Sequence, residues 1–316
     1  MHSLDAGPDG ALVLQFSHSG LLLACPTRTA IVLYTFQGQI YLVLSGHTGL
    51  VYCVQWSKDD KYLISASADS TVCVWNIEAR HPSPEQVLSH PSYVYSCCWL
   101  GGQGRRLATG CFDGTLRLWR PSDPKEPEQL LSHHKSRVNC VIAIDPRLVS
   151  ADAEGVIVIW AERENGSFGL ERELKVNELS GKVINKLCPH PNGKRILVQT
   201  RDSLLRMLDV KTGAVIQWYQ GGVNRKLRMD SGFCGCGSKV LGTSEDGTLC
   251  AWQSDTGAQV AIYQLATLAA PPPSAVAFHP RDHVLAVVSH ANDFYPSLVV
   301  MGYDRYVVIQ LTLRIY

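Results

Sequence analysis

A short apolar run ending in an aromatic residue, or once in leucine, recurs along this chain at Tyr34, Trp75, Trp119, Trp160, Leu208, Trp252 and Tyr303. The intervals are 41, 44, 41, 48, 44 and 51 residues, so one unit repeats seven times and dictates the architecture. In five units an acid stands six residues ahead of that position: Asp69, Asp113, Glu154, Asp202 and Asp246, each followed by Gly or Ser. That pairing marks a tight turn, because the short acid bonds nearby backbone and the next residue tolerates a left-handed conformation.

Each unit contains three or four apolar or alternating runs parted by Gly, Pro, Asn and Asp. In the second unit they cover 51–56, 62–66, 71–75 and about 86–88. Runs this short with a period of two are strands, and no stretch carries the 3.6-residue period of an amphipathic helix. Four-stranded antiparallel sheets repeated at this spacing bury their faces by stacking, and a radial array leaves only short protected edges. The expected fold is all-β: a seven-bladed β-propeller with four-stranded antiparallel blades, a single domain over 1–316. Repeats are placed at about 11–45, 50–88, 94–131, 137–177, 183–220, 226–263 and 275–303. Residues 306–316 alternate apolar and polar, and 304–316 read either as a closing strand or as a divergent tail with an aggregation-prone edge.

Composition narrows the functional classes. Hydrophobic residues make up 46% and charged residues 18% of the 316, enough for a sizeable core. Lys and Arg number 29 against 28 Asp and Glu, so no global field draws the chain to nucleic acid or to an anionic membrane. The 11 cysteines are odd in number and scattered through apolar runs, as at Cys53, Cys73, Cys140, Cys188 and Cys250, which points to a reducing compartment. No apolar run approaches the roughly 18 residues of a membrane span, and the first ten residues hold no signal-like stretch. Cys234-Gly-Cys236 and Cys97-Cys98 lack a second pair at zinc spacing. Gly101-Gly102-Gln103-Gly104 lacks the Lys-Ser/Thr of a phosphate loop. No metal, cofactor, nucleic acid or inserted membrane is expected, and the chain reads as a cytosolic monomer.

One constellation has the composition of a catalytic triad. His47, Ser65 and Asp69 recur with Trp75 in the second unit, as do His90, Thr109, Asp113 and Trp119 in the third. The fourth has His133 or His134, Ser150, Glu154 and Trp160. An enzyme needs one such site, whereas a stacked fold needs one internal hydrogen-bond chain per blade, from indole to hydroxyl to imidazole to carboxylate. The sets are therefore read as structural tetrads, with a serine hydrolase as the opposing reading and no catalytic residue assigned. Around Asp202 the hydroxyl and indole positions hold Val198 and Leu208, and no His precedes Asp246 in the right loop. Blades five to seven are expected to be softer.

Gly46-His47, the acidic turns and the closing Trp75-Asn76 resemble the WD-repeat family, over essentially 11–303. Residues 56–76, 90–95, 109–119, 155–160, 190–209 and 244–263 resemble, in register, the repeat region of one ciliary scaffold branch of that family. The likeness extends to the fifth unit, which lacks its Trp. This resemblance implies a non-enzymatic protein-interaction scaffold in cilium assembly, in transition-zone and basal-body organisation and in vesicle trafficking. It implies a place in the cytoplasm and cytoskeleton at the ciliary basal body, transition zone and centrosome. It also implies transition-zone components, nephrocystin and a Rab-type GTPase as partners. Longer members of that branch add a coiled-coil-bearing N-terminal region and a C-terminal Src-homology-3 domain, neither of which falls within these residues.

The acidic turns and the loops leading into each blade share one face of such a wheel. Lys135, Arg137, Arg201, Asn224, Arg225 and Lys226 lie there and form the expected partner-binding face, suited to an acidic or phosphorylated segment. Tyr52 and Tyr95, just inside those loops, read either as rim anchors or as buried strand residues. The alternative function is a WD-repeat substrate receptor or adaptor in a ubiquitin ligase or chromatin complex.

Overall fold

A computed structural model describes residues 13–101, 105–264, 273–282, 284–290, 296–302 and 308–312. The strands come in groups of four. The first group is β1 (Gln15–Phe16), β2 (Leu22–Pro26), β3 (Ala30–Thr35) and β4 (Ile40–Ser45); the second is β5 (Val51–Trp56), β6 (Tyr62–Ser67), β7 (Thr71–Asn76) and β8 (Gln86–Ser89). Next come β9 (Val94–Trp99), β10 (Leu107–Cys111), β11 (Thr115–Trp119) and β12 (Gln129–Ser132), then β13 (Val138–Ile144), β14 (Arg147–Asp152), β15 (Ile157–Glu162) and β16 (Phe168–Leu174). The fifth group is β17 (Ile184–Pro189), β18 (Arg195–Thr200), β19 (Leu205–Asp209) and β20 (Val215–Tyr219); the sixth is β21 (Ser231–Phe233), β22 (Lys239–Thr243), β23 (Thr248–Gln253) and β24 (Gln259–Gln264). The last is β25 (Pro273–Phe278), β26 (Val284–His290), β27 (Pro296–Gly302) and β28 (Val308–Thr312). Each group is an antiparallel meander in chain order.

Burial follows from position in the meander. Every residue of β6 is buried, whereas the outermost β8 alternates, with Val87 in solvent and Leu88 inside. First strands pack against first strands of neighbouring sheets, β1 on β5, β5 on β9, β9 on β13, β13 on β17, β17 on β21, β21 on β25 and β25 on β1. They are therefore the innermost strands of a closed ring. Side chains at one inner-strand position reach across to the next sheet: Ser96 Oγ donates to Val141 O and accepts from Val141 N, and Cys140 Sγ takes the same place against Leu187. At another position Gln15 and Gln55 clasp the following blade, since Trp56 and Trp99 each donate a backbone N–H to the Gln side chain and an indole N–H to the Gln carbonyl. The wheel is thus sewn by directional bonds as well as by apolar contact.

The blade count corrects the sequence expectation. Six sheets, from β1–β4 to β21–β24, have described side chains on all four strands; in β25–β28 they are described only on the inner pair, and β27 and β28 are defined by their backbone register. Six blades, β1–β4 to β21–β24, are described in full, against the seven that the spacing predicts. The β25–β28 sheet joins the ring through a shared core of Leu14, Phe16, Ala275, Ala277 and their neighbours. The widest interval between recurrent residues, to Tyr303, falls in this sheet. Tyr303 itself lies outside the described residues. The fourth-strand position beside β27 is taken by β28, while 304–307 and 313–316 lie outside the description.

Meander topology fixes the two faces. Turns between first and second strands lie at one end of every sheet; turns between second and third strands, and loops from a fourth strand to the next first strand, lie at the other. The second kind of turn and the inter-blade loops therefore meet on one face.

Candidate partner-binding face

Backbone bonds hold that face together before any side chain is considered. In five blades the residue ahead of the turn acid donates its N–H to the incoming loop: Ala68 to Leu50 (2.9 Å), Phe112 to Tyr93 (2.9 Å), Ala153 to Arg137 (3.2 Å), Arg201 to Val183 (3.2 Å) and Glu245 to Val223 (2.9 Å). The residue after the acid has positive φ in all five: Ser70 67°, Gly114 78°, Gly155 86°, Ser203 66° and Gly247 87°. This is the left-handed conformation that the Gly or Ser after each acid permits.

Side-chain tetrads reinforce three of these junctions. In the second blade Trp75 Nε1–H donates to Ser65 Oγ at 2.8 Å, Ser65 Oγ meets His47 Nε2 at 2.7 Å, and His47 Nδ1 meets Asp69 Oδ2 at 2.8 Å. An indole only donates and a carboxylate only accepts, so the protons run one way: Ser65 O–H to Nε2, and Nδ1–H to Asp69. Burial works to raise the Asp69 carboxyl, but bonds from His47, Thr71 and the Thr48 N–H outweigh it and hold Asp69 well below the usual carboxylate range. Ser65 has 0% exposure, and its oxygen already serves the indole and imidazole. A nucleophile needs access to a carbonyl, so the triad-like geometry belongs to the core.

The third and fourth blades depart from the expected sets. His90 Nε2 bonds Thr109 Oγ1 at 2.9 Å and Trp119 donates to the same oxygen at 3.2 Å, but His90 Nδ1 donates to Leu88 O and not to Asp113. Asp113 turns instead to Arg117, four residues on, at 2.6 Å; a cation on its own hairpin displaces the imidazole. In the fourth blade His134 bonds Ser150 Oγ at 2.7 Å and Trp160 donates to that oxygen at 2.9 Å, while the acid on His134 Nδ1 is Asp152 at 2.9 Å, not Glu154. Asp152 also accepts the Glu154 and Val156 N–H groups, so it both caps the turn and holds the imidazole. His133 pairs with Glu173 outside the tetrad.

The fifth and sixth blades reach the same junction by other chemistry. Arg206, 2% exposed, donates to Thr200 Oγ1 at 2.7 Å and to Asp202 at 2.5 Å, and Lys182 of the incoming loop donates to Asp202 at 2.7 Å. In the sixth, Glu245 Oε1 accepts three successive N–H groups, from Arg225, Lys226 and Leu227, at 2.6 to 2.9 Å. Trp252 donates its indole N–H to Gln220 O at 2.8 Å.

At the inner margin of this face a β-bulge recurs at one register position. Pairing skips Tyr52, Tyr95, Asn139 and Asn185 between first and second strands of blades two to five, and such an extra residue re-aims its side chain. Tyr52 and Tyr95 pack with ring centroids 4.9 Å apart, and Phe112 continues the cluster at 6.4 Å from Tyr95 and 6.1 Å from Tyr93. Phe112 is 43% and Tyr93 40% exposed, so an apolar surface runs from the inner strands outward. Asn139 accepts from Arg137 Nε at 3.2 Å and Asn185 from Arg201 Nε at 3.1 Å. The Arg137 guanidinium stands 6.0 Å from the Tyr95 ring. Burial pushes the Tyr52 phenol up, opposed by Arg228 and Arg137.

Two of the expected partner-binding residues are thus positioned, Arg137 and Arg201, each by an Asn of the bulge. Lys135, Arg225 and Lys226 are exposed on the same face. Asn224 is not available: it is buried, and its Nδ2 donates to Thr200 O while its N–H reaches Ser203 Oγ. It ties two loops together. Sequence reading overlooked Tyr93, Phe112, Arg228 and the two bulge Asn residues. A signal existed: the residue before the turn acid is Ala68 or Ala153 in neighbouring blades but Phe112 in the third, an aromatic with no core to join. Among the described residues there is no group of three or more His, Cys, Asp or Glu arranged to hold a metal ion, and no helix is long and apolar enough to cross a membrane.

The family described as WD domain, G-beta repeat matches residues 38–76 and 82–120. Jouberin of Mus musculus is 36% identical over 282 residues, covering 83% of this chain and 27% of jouberin; that of Rattus norvegicus is 35% identical with the same coverage. This is a jouberin-like WD-repeat chain. It spans about a quarter of the length of these curated relatives. The crystal structure of the Myceliophteria thermophila Cps50 (Swd1) β-propeller domain superposes with a TM-score of 0.75, over 91% of this chain and 95% of that one, at 16% identity; that likeness concerns the fold alone. The two matched WD repeats are offset from the blades, for 38–76 takes in β4 of the first blade with β5 to β7 of the second. A WD repeat is therefore a covalent bridge between blades, and its tetrad pins the loop that makes the bridge.

Proposed function

We propose that this WD-repeat chain is a non-enzymatic docking platform whose ligand is an acidic, extended segment of a partner protein, received on the face bearing the inter-blade loops. The observation that carries this reading is the recurrent bulge, with Asn139 holding Arg137 beside the Tyr52–Tyr95 pair and Asn185 holding Arg201 in the next blade. Guanidinium groups fixed by a neighbouring amide lose little freedom on binding, and an aromatic surface beside them supplies contact area, which is the composition of an interface hot spot. Arg225 and Lys226 add exposed charge at the margin.

Similarity to jouberin over 83% of the chain supports a place for this platform at the ciliary base and transition zone, serving cilium assembly and vesicle trafficking. On that resemblance the partners are transition-zone components, nephrocystin and a Rab-type GTPase. No observation favours a ubiquitin-ligase or chromatin adaptor. The test is binding of the purified chain to each of these partners in turn, by titration. Arg137→Glu with Arg201→Glu is expected to weaken capture at least tenfold with unchanged thermal stability, and Asn185→Ala to weaken it less, by freeing Arg201. Equal affinities for wild type and the double variant would remove this face from the reading.

A further inference from the structure

The opposite face carries a different chemistry. The turn between β21 and β22 holds Cys234, Gly235 and Cys236, and its first-to-second-strand topology places it away from the partner face. Cys234 Sγ and Cys236 Sγ are 3.3 Å apart. Ser238 Oγ lies 3.0 Å from Cys236 Sγ, and the Lys239 N–H donates to Cys234 Sγ at 3.2 Å. The turn is held from outside as well, since a Cβ on Gly235 would come within 2.7 Å of Pro280 O. Cys236 is exposed and Cys234 buried, while the other nine cysteines are buried or half-buried, all of them in strands.

We propose that Cys234 and Cys236 are a peroxide-oxidisable dithiol that closes to an intramolecular disulfide, with Cys236 as the sulfur attacked first and Cys234 as the resolving one. Exposure gives the oxidant access to Cys236, and the 3.3 Å separation brings the resolving sulfur within van der Waals contact. The oxidant class is hydrogen peroxide. The Cys236 thiolate attacks one peroxide oxygen, the O–O bond breaks, and the departing hydroxide takes up a proton as water, leaving a sulfenic acid. Cys234 then attacks Cys236 Sγ; the S–S bond forms, the S–O bond breaks, and hydroxide leaves with the Cys234 proton as a second water. Two thiols and one peroxide give one disulfide and two waters. The same contacts with Ser238 and Cys234 bring the Cys236 thiol down to about 7, which favours its thiolate.

The test uses the full 316-residue chain. It is treated with one equivalent of hydrogen peroxide, blocked with iodoacetamide and cleaved with trypsin, whose sites at Arg228 and Lys239 release the peptide 229–239. The expected product is that peptide two hydrogens lighter and free of the alkyl group, with the other cysteines alkylated after unfolding. C236S, a change at an exposed site, abolishes the product. C234S leaves a sulfenic acid on Cys236 that dimedone traps. Two alkyl groups on 229–239 after peroxide, as before it, overturn the proposal; so does oxidation that goes first to another cysteine or to a disulfide between chains.

Discussion

At the scale of single residues, the second-blade tetrad has the hydrogen-bond order of a serine hydrolase and serves as an internal strut. The distinction rests on Ser65 being fully buried and bonded to an indole. Trp75→Ala removes both the donor and the ring, and truncation of a buried aromatic costs about 3–5 kcal/mol; denaturant unfolding of the variant checks this. A fluorophosphonate probe is expected to leave the folded protein unlabelled. His90 gives a pH dependence of definite sign. Burial lowers its imidazole to about 4, against about 6.5 when unfolded. Its contribution is therefore complete above pH 6.5 and is lost as pH falls from there toward 4, about 2 kcal/mol at pH 5. Unfolding measured at pH 7 and pH 5 should show that loss in wild type and not in His90→Gln; equal losses would place the pH sensitivity elsewhere.

At the scale of strands and turns, most of what was legible in the sequence is periodic. The four-strand grouping, the acid turns and the hydroxyl and indole partners of His47, His90 and His134 follow from spacing, because spacing sets which side chains share an end of a sheet. The acids were less legible. Asp113 and Glu154 stand at the position Asp69 occupies, yet Arg117 captures the first and Asp152 replaces the second. A linear pattern cannot weigh two charges that compete for one partner. The bulge residues were invisible for a similar reason, since a bulge is a property of two paired strands. The fifth blade bears on the expectation of softness drawn from missing tetrad members. Leu208 sits in a continuous core shared with the fourth blade, from Cys140 to Val210, and Arg206, Thr200, Asp202 and Lys182 rebuild the polar junction. Amide exchange in β18 and β19 is therefore expected to be as slow as in β14 and β15. Protection a hundredfold weaker in the fifth blade would favour the reading from missing tetrads.

At the scale of the whole molecule, the offset of repeat from blade explains why loops on one face are so heavily tied. Each loop joins two blades, so a loose loop would let neighbouring sheets part, and every described junction of blades two to six has at least a backbone bond. A face built for rigidity is also a face on which side chains can be presented without further ordering cost. The exposed apolar residues Val43, Val87, Leu130 and Ile262 lie on the outermost strands of separate blades, whereas the Tyr93–Phe112 surface is contiguous with the inner aromatic pair. That contiguity, with the held arginines, is what the proposed docking face rests on. The most direct measurement is the position of the tagged 316-residue chain in ciliated cells relative to a basal-body marker, beside Arg137→Glu with Arg201→Glu and with the folded state of both checked by thermal unfolding. Enrichment of the wild-type chain at the ciliary base, lost in the folded double variant, is the predicted result. A diffuse signal from folded wild-type protein, or equal enrichment of both, would contradict it.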